Sequence, residues 1–190
     1  LVETTKRTAT YAAIHKAGPY TLDLTITVDF DGLMRFKGTL VGNDTPIDNL
    51  SVVFPLRKEM VTHYHAAYFE TDLATADRKF IAGAIESFKE GATPFAGLFW
   101  LGGPEGGLQW IAEWDKGWNN VDRKKVMVVQ QTEEGTSLIV NMIDKRTILK
   151  EATDRINNAR KQYWGLCLKL FRHFRPQYIS KHGNILKSIV

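Results

Sequence analysis

From Leu22 to Phe30 apolar and polar residues alternate. Leu22, Leu24, Ile26, Val28 and Phe30 share one parity, while Thr and Asp fill the other. Successive side chains of a strand point to opposite faces, so this segment reads as a half-buried strand with one wet face. Asp31-Gly32 follows, a pair suited to a two-residue turn, and Leu33 to Val41 returns as the second arm of a β-hairpin. Leu50, Val52, Phe54 and Leu56 alternate around Pro55, which lacks an N–H and therefore points to an edge strand or a strand end. Val61 to Phe69 is rich in aromatic and β-branched residues. Leu108 to Asp115 sets Leu108, Trp110, Ala112 and Trp114 on one face and Gln109, Ile111, Glu113 and Asp115 on the other. Val126 to Thr132 and Thr136 to Ile143 predict a second hairpin across Glu133-Glu134-Gly135.

Two segments carry a different period. Between Asp77 and Glu90, Phe80, Ala84, Ile85 and Phe88 are spaced like a short helix face, which leaves that segment open between helix and strand. From Thr147 onward Leu149, Ala152, Ile156, Ala159, Tyr163, Leu166, Leu170 and Phe174 recur every three or four residues, which predicts an amphipathic helix ended by Pro176. The expected fold is therefore mainly β: an antiparallel β-sandwich over residues 1–150, followed by a basic helical tail over 151–190.

Composition narrows the class. With 190 residues, 44% hydrophobic and 24% charged, the chain suits one globular domain with a sizeable core. No apolar run reaches the roughly 18 residues of a membrane span, so no membrane partner is expected. The chain opens at Leu1 rather than Met and is expected to be a piece of something longer. Cys167 is alone, which rules out an internal disulfide. The net charge of +4 hides an asymmetry. From Lys145 to the end there are eleven Lys/Arg against Glu151 and Asp154, a balance of +9, whereas the remainder carries 14 Lys/Arg against 19 Asp/Glu, a balance of −5. Arg155, Arg160, Lys161, Lys169, Arg172 and Arg175 lie among aromatics in that tail, which superficially fits nucleic-acid binding. They fall mostly on the polar side of the expected helix, so a solvated face is the preferred reading and a nucleic-acid interface the third choice.

The candidate chemistry concentrates in one stretch, which holds Trp100, Trp110, Trp114 and Trp118, four of the five tryptophans, together with Gly102, Gly103, Gly106 and Gly107. Indole offers a broad apolar face and one N–H donor, and so serves cores and ligand surfaces alike. Glu113 and Asp115 sit two apart on one strand face, about 6.5–7 Å between Cα atoms. That spacing falls within the range of an inverting glycosidase pair, although such pairs normally converge from separate strands and a solvated strand face is the simpler reading. His63 and His65 project from one side of a strand, but zinc needs three or four ligands and no further donor has a convincing spacing, so no metal is expected. The glycines lack a phosphate-loop pattern and read as a tight turn between strands. No cofactor is implied.

The stretch Trp100-Leu101-Gly102 … Glu105 … Gly107-Leu108-Gln109-Trp110 … Ala112-Glu113 … Asp115-Lys116-Gly117-Trp118 resembles a hallmark of large bacterial glycoside hydrolase family 123-like proteins, which reads approximately W-L-G-N-E-x-R-G-L-x-W-F-A-E-S-D-K-G-W. Val28-Asp29-Phe30-Asp31-Gly32-Leu33 and Phe54-Pro55-Leu56-Arg57-Lys58-Glu59 are similar to the same region, in the same order, so the resemblance covers roughly residues 10–150. Gly103 stands for the usual Asn, Gly106 for a common Arg and Trp114 for a small polar residue. After Glu151 the likeness stops where the charge reverses, and the tail beyond about Thr153 is expected to be foreign to the domain.

The resemblance implies the β-sandwich domain that precedes a catalytic (β/α)-barrel acting by substrate-assisted hydrolysis. It also implies a secreted or periplasmic setting. This chain has no adjacent Asp-Glu pair to carry that chemistry. The expectation is thus a non-catalytic module whose partner is the parent protein's barrel. Direct carbohydrate binding is the alternative, with ligand-binding candidates Trp100, Gln109, Trp110, Glu113, Trp114, Asp115 and Trp118. Under the structural version Trp110 and Trp114 enter the core while Trp100 and Trp118 brace the turn.

Overall fold

The computed structural model describes residues 1–42, 45–69, 78–88, 91–104, 106–112, 115, 118–148 and, for the backbone, 162–171. Antiparallel strands dominate. In chain order they are β1 (Glu3–Thr4), β2 (Thr8–Ala17), β3 (Tyr20–Asp29), β4 (Leu33–Val41), β5 (Pro46–Ile47), β6 (Leu50–Arg57), β7 (His63–Phe69), β8 (Arg78–Ala84), β9 (Ala92–Thr93), β10 (Ala96–Gly103), β11 (Gly106–Ile111), β12 (Met127–Gln131), β13 (Gly135–Ile143), β14 (Thr147–Ile148) and β15 (Gln162–Phe171). A nine-stranded sheet runs in the order β1-β2-β3-β4-β15-β11-β10-β7-β8, and a four-stranded sheet in the order β6-β13-β12-β9. A two-stranded pair, β14 with β5, completes the described pairing.

One core lies between the two larger sheets. Phe99, Leu101, Leu108 and Trp110 on the nine-stranded sheet are sealed from solvent, as are Met127, Leu138 and Val140 on the four-stranded sheet. The sheets meet where the Phe54 ring of β6 sets its edge against the Trp110 indole, centroids 5.9 Å apart. They meet again where the Ala96 N–H donates to the Met127 sulfur at 3.2 Å. Burying side chains of this size stabilises by roughly 1.5–3 kcal/mol each, so the core rests on the alternating apolar positions of β10–β13.

The first hairpin forms as the alternation requires, with Leu22 paired to Leu40 and Val28 to Met34. Its turn is one residue longer than the two-residue form expected. Phe30, Asp31 and Gly32 connect the arms, Gly32 takes φ 86°, and its N–H donates to the Asp29 carbonyl at 3.0 Å. A three-residue loop of this kind needs a left-handed residue at its end, which glycine supplies at no steric cost. Phe30 consequently leaves the apolar stripe and is 81% exposed. Pro55 does lie on an edge strand, since β6 ends the four-stranded sheet and needs no N–H on its open side. The second hairpin, β12 with β13, pairs Val129 with Leu138 and Met127 with Val140.

One open reading is resolved and one expectation is corrected. The helix-like spacing around Phe80 belongs to strand β8, followed by one 3-10 turn at Ile85–Ser87. Pairing with β7 along its whole length, from His63 opposite Ala84 to Phe69 opposite Arg78, overrides the spacing. The expected C-terminal amphipathic helix is likewise absent from Gln162–Phe171. Those residues form β15, an interior strand paired with β4 on one side and β11 on the other. The segment carries a second period that suits a strand, with Trp164, Leu166, Leu168 and Leu170 on one parity. Two unpaired strand neighbours offer its backbone a hydrogen-bonding partner on each side, which outweighs local spacing. Residues 149–161 and 172–190, where the rest of that helix was expected, lie outside the described residues, as do five of the tail's six cations named above.

Candidate functional site

The tryptophan-rich stretch builds the hairpin β10–β11, in which Gly103 pairs with Gly106 and Leu98 with Ile111. Strand parity sorts its side chains between two environments. Phe99, Leu101, Leu108 and Trp110 face the core, so Trp100 and Gln109 face the opposite, outer side of the nine-stranded sheet. On β7 the same rule buries Tyr64 and Ala66 and turns His63 and His65 outward, where both are exposed.

Trp110 is therefore a core residue and not a ligand platform. It is fully buried, its indole N–H donates to the Ala96 carbonyl at 3.1 Å, and its ring meets Phe54 and Trp118 edge-on. Trp118 does not brace the glycine turn as expected. It packs against Phe95 with centroids 5.3 Å apart and against Trp110 at 6.5 Å, closing the end of the core remote from that turn. Asp115 is held by an ion pair and hydrogen bond with Arg123, which occupies it as an electrostatic partner. Glu113 and Trp114 lie outside the described residues, so the expected carboxylate pair and the core position of Trp114 have no geometry to report.

Trp100 does lie on the glycine turn, and in a particular way. A Cβ at Gly102 would stand 2.7 Å from the indole Cζ2, and one at Gly107 would stand 3.1 Å from the indole Nε1. The Nε1–Cζ2 edge of the ring thus lies against bare backbone at Gly102 and Gly107, both of which are buried. Close approach of this kind needs glycine, because any side chain would lift the indole. Trp100 itself stays partly exposed.

Register sets the neighbours of that ring. Trp100 is paired with His65 on β7 and with Gln109 on β11, and Gly102 is paired with His63. Residues paired across antiparallel strands have Cα atoms about 4.5–5.5 Å apart, so two imidazoles and one amide flank the indole. The His63 Nδ1 bonds the Thr62 hydroxyl at 2.9 Å, and that hydroxyl also reaches the Gly102 carbonyl at 3.4 Å. Next along the face, the His65 ring lies 6.4 Å from that of Phe80, which is 63% exposed. The outer face thus presents two aromatic surfaces with hydrogen-bonding groups around and between them.

Of the five sequence-named candidates among the described residues, this face unites Trp100 and Gln109. His63, His65 and Phe80 belong with them and were missed as a group, since the pairing of β7 with both β10 and β8 is not a local feature of the chain. The parity of Trp100 against Phe99 and Leu101 was the available signal for its outward direction. Among the described residues no group of three or more His, Cys, Asp or Glu side chains is placed to hold a metal ion. No described helix is long and apolar enough to cross a membrane. No family model matches the chain, and no curated protein matches it.

Proposed function

We propose that this chain is a non-catalytic β-sandwich module of a glycoside hydrolase family 123-like protein, which packs on the parent's catalytic barrel or shapes one side of its cleft. The observation that carries the reading is the use made of the tryptophan motif. Of the residues that resemble the family hallmark, Trp100 to Gly103 and Gly106 to Ile111 lie in the β10–β11 hairpin of the larger sheet, with Trp110 sealed in the core and Trp118 against it. A hallmark spent on packing and turn geometry fits a scaffold that supports chemistry located elsewhere.

The test combines activity with association. The purified chain is assayed on N-acetylhexosaminide substrates and mixed with the separately expressed catalytic barrel of a family 123-like protein. The expected result is no turnover by the chain and co-elution with the barrel. Turnover by the chain alone, or failure to associate with the barrel, would overturn the proposal.

A further inference from the structure

We infer that the outer face of β8, β7, β10 and β11 is a binding site for a short oligosaccharide, with Trp100 and Phe80 as stacking surfaces and His63, His65 and Gln109 bonding hydroxyls. The inference rests on the proposed function only in taking carbohydrate as the ligand class, and the site itself follows from placement.

The face of an indole ring carries partial negative charge, so it attracts the C–H groups on the apolar side of a pyranose ring. Such stacking needs a flat, rigid ring with one face open. Trp100 is partly exposed, and its Nε1 and Cζ2 atoms stand so close to the backbone of Gly102 and Gly107 that no side chain could intervene, which holds the ring in place. A pyranose seated there would present its peripheral hydroxyls to His63 and His65 on one flank and Gln109 on the other, in the register already described. Imidazole and primary amide both donate and accept, as a hydroxyl requires of its partner. A binding site that combines apolar surface with a few placed polar groups has this composition.

The length of the ligand follows from Phe80. Its register partner is Ala67 on β7, so it lies two strands across from Trp100 and two residues along. At about 4.8 Å between strands and 3.4 Å per residue, the two Cα positions are about 12 Å apart. One sugar ring does not span that distance, whereas a chain of a few does. His65 stands between the two aromatic surfaces, next to Trp100 in register and against the Phe80 ring. Its place suits a hydroxyl at the middle of the chain.

The test uses the full chain labelled with ¹⁵N, with the Trp100 indole N–H resonance identified by its loss in Trp100→Phe. It is titrated with methyl β-glucopyranoside and with the β-linked tetrasaccharides of glucose, xylose and mannose. The expected result is a saturable shift of the Trp100 resonance by at least one tetrasaccharide, at a Kd roughly tenfold or more below that of the monosaccharide. Phe80→Ala and Gln109→Ala, both outside the core, should each weaken tetrasaccharide binding roughly fivefold with an unchanged thermal melt. No saturable shift with any of the three tetrasaccharides overturns the inference, as does binding that both substitutions leave intact. Saccharide binding without association with the barrel would overturn the proposed function and leave this site standing. Association without saccharide binding would do the reverse.

Discussion

At the scale of single residues, the two best-placed tryptophans of the hairpin do opposite work because they sit on opposite parities. Trp110 fills the space between the sheets and satisfies its indole N–H on Ala96. Trp110→Ala leaves a large cavity and an unmatched carbonyl, so it should cost roughly 3–5 kcal/mol. Urea denaturation followed by far-UV circular dichroism would read this as a large fall in midpoint, and a midpoint equal to that of the parent would contradict the core placement. Gly102 tests the other parity. A methyl group there would stand 2.6 Å from the Gly106 carbonyl and 2.7 Å from the Trp100 ring. Gly102→Ala should therefore cost about 1–3 kcal/mol and displace the indole. The melting temperature reports the first effect, and the chemical shift of the Trp100 indole N–H reports the second.

At the scale of elements, the position of a strand in its sheet decides what it tolerates. β6 accepts Pro55 because one of its edges is open. β15 has no open edge: Cys167 is paired with Arg35 on β4 and with Ile111 on β11. A proline there removes a donor and forces the backbone in a strand bonded on both sides, at a cost of about 3 kcal/mol or more. Cys167→Pro should thus unfold the chain or lower its melting temperature steeply, while Val53→Ala on edge strand β6 should be mild by comparison. Equal effects would remove β15 from the sheet interior. The same contrast explains how the segments read in sequence. The hairpin β3–β4 was legible because Leu22, Leu24, Ile26 and Val28 alternate next to their own turn. β15 was not, because Leu166 and Leu170 fit a helical spacing and a strand spacing equally, and its partners lie far off in the chain.

At the scale of the whole molecule, the two large sheets share one core, in which Phe54 and Met127 of the smaller sheet contact Trp110 and Ala96 of the larger. Neither sheet can bury its apolar face without the other. Denaturant unfolding should accordingly be a single transition, with tryptophan fluorescence and far-UV circular dichroism giving coincident curves. Two separated transitions would show that the sheets unfold independently. The outer face of the nine-stranded sheet depends on this packing, because the burial of Phe99, Leu101, Tyr64 and Ala66 on one side is what turns Trp100, His65 and His63 to the other.

The sequence by itself determined the antiparallel β class and both hairpins, and confined Pro55 to an edge strand or a strand end. Each follows from period-two alternation or from the covalent constraint of one residue, both of which act over a few neighbours. Tertiary structure alone decided the sheet order, the strand identity of Gln162–Phe171 and the meeting of Trp100, His63, His65, Gln109 and Phe80 on one face. These depend on hydrogen bonds between strands distant in the chain, and no local pattern encodes which strand will supply the partner.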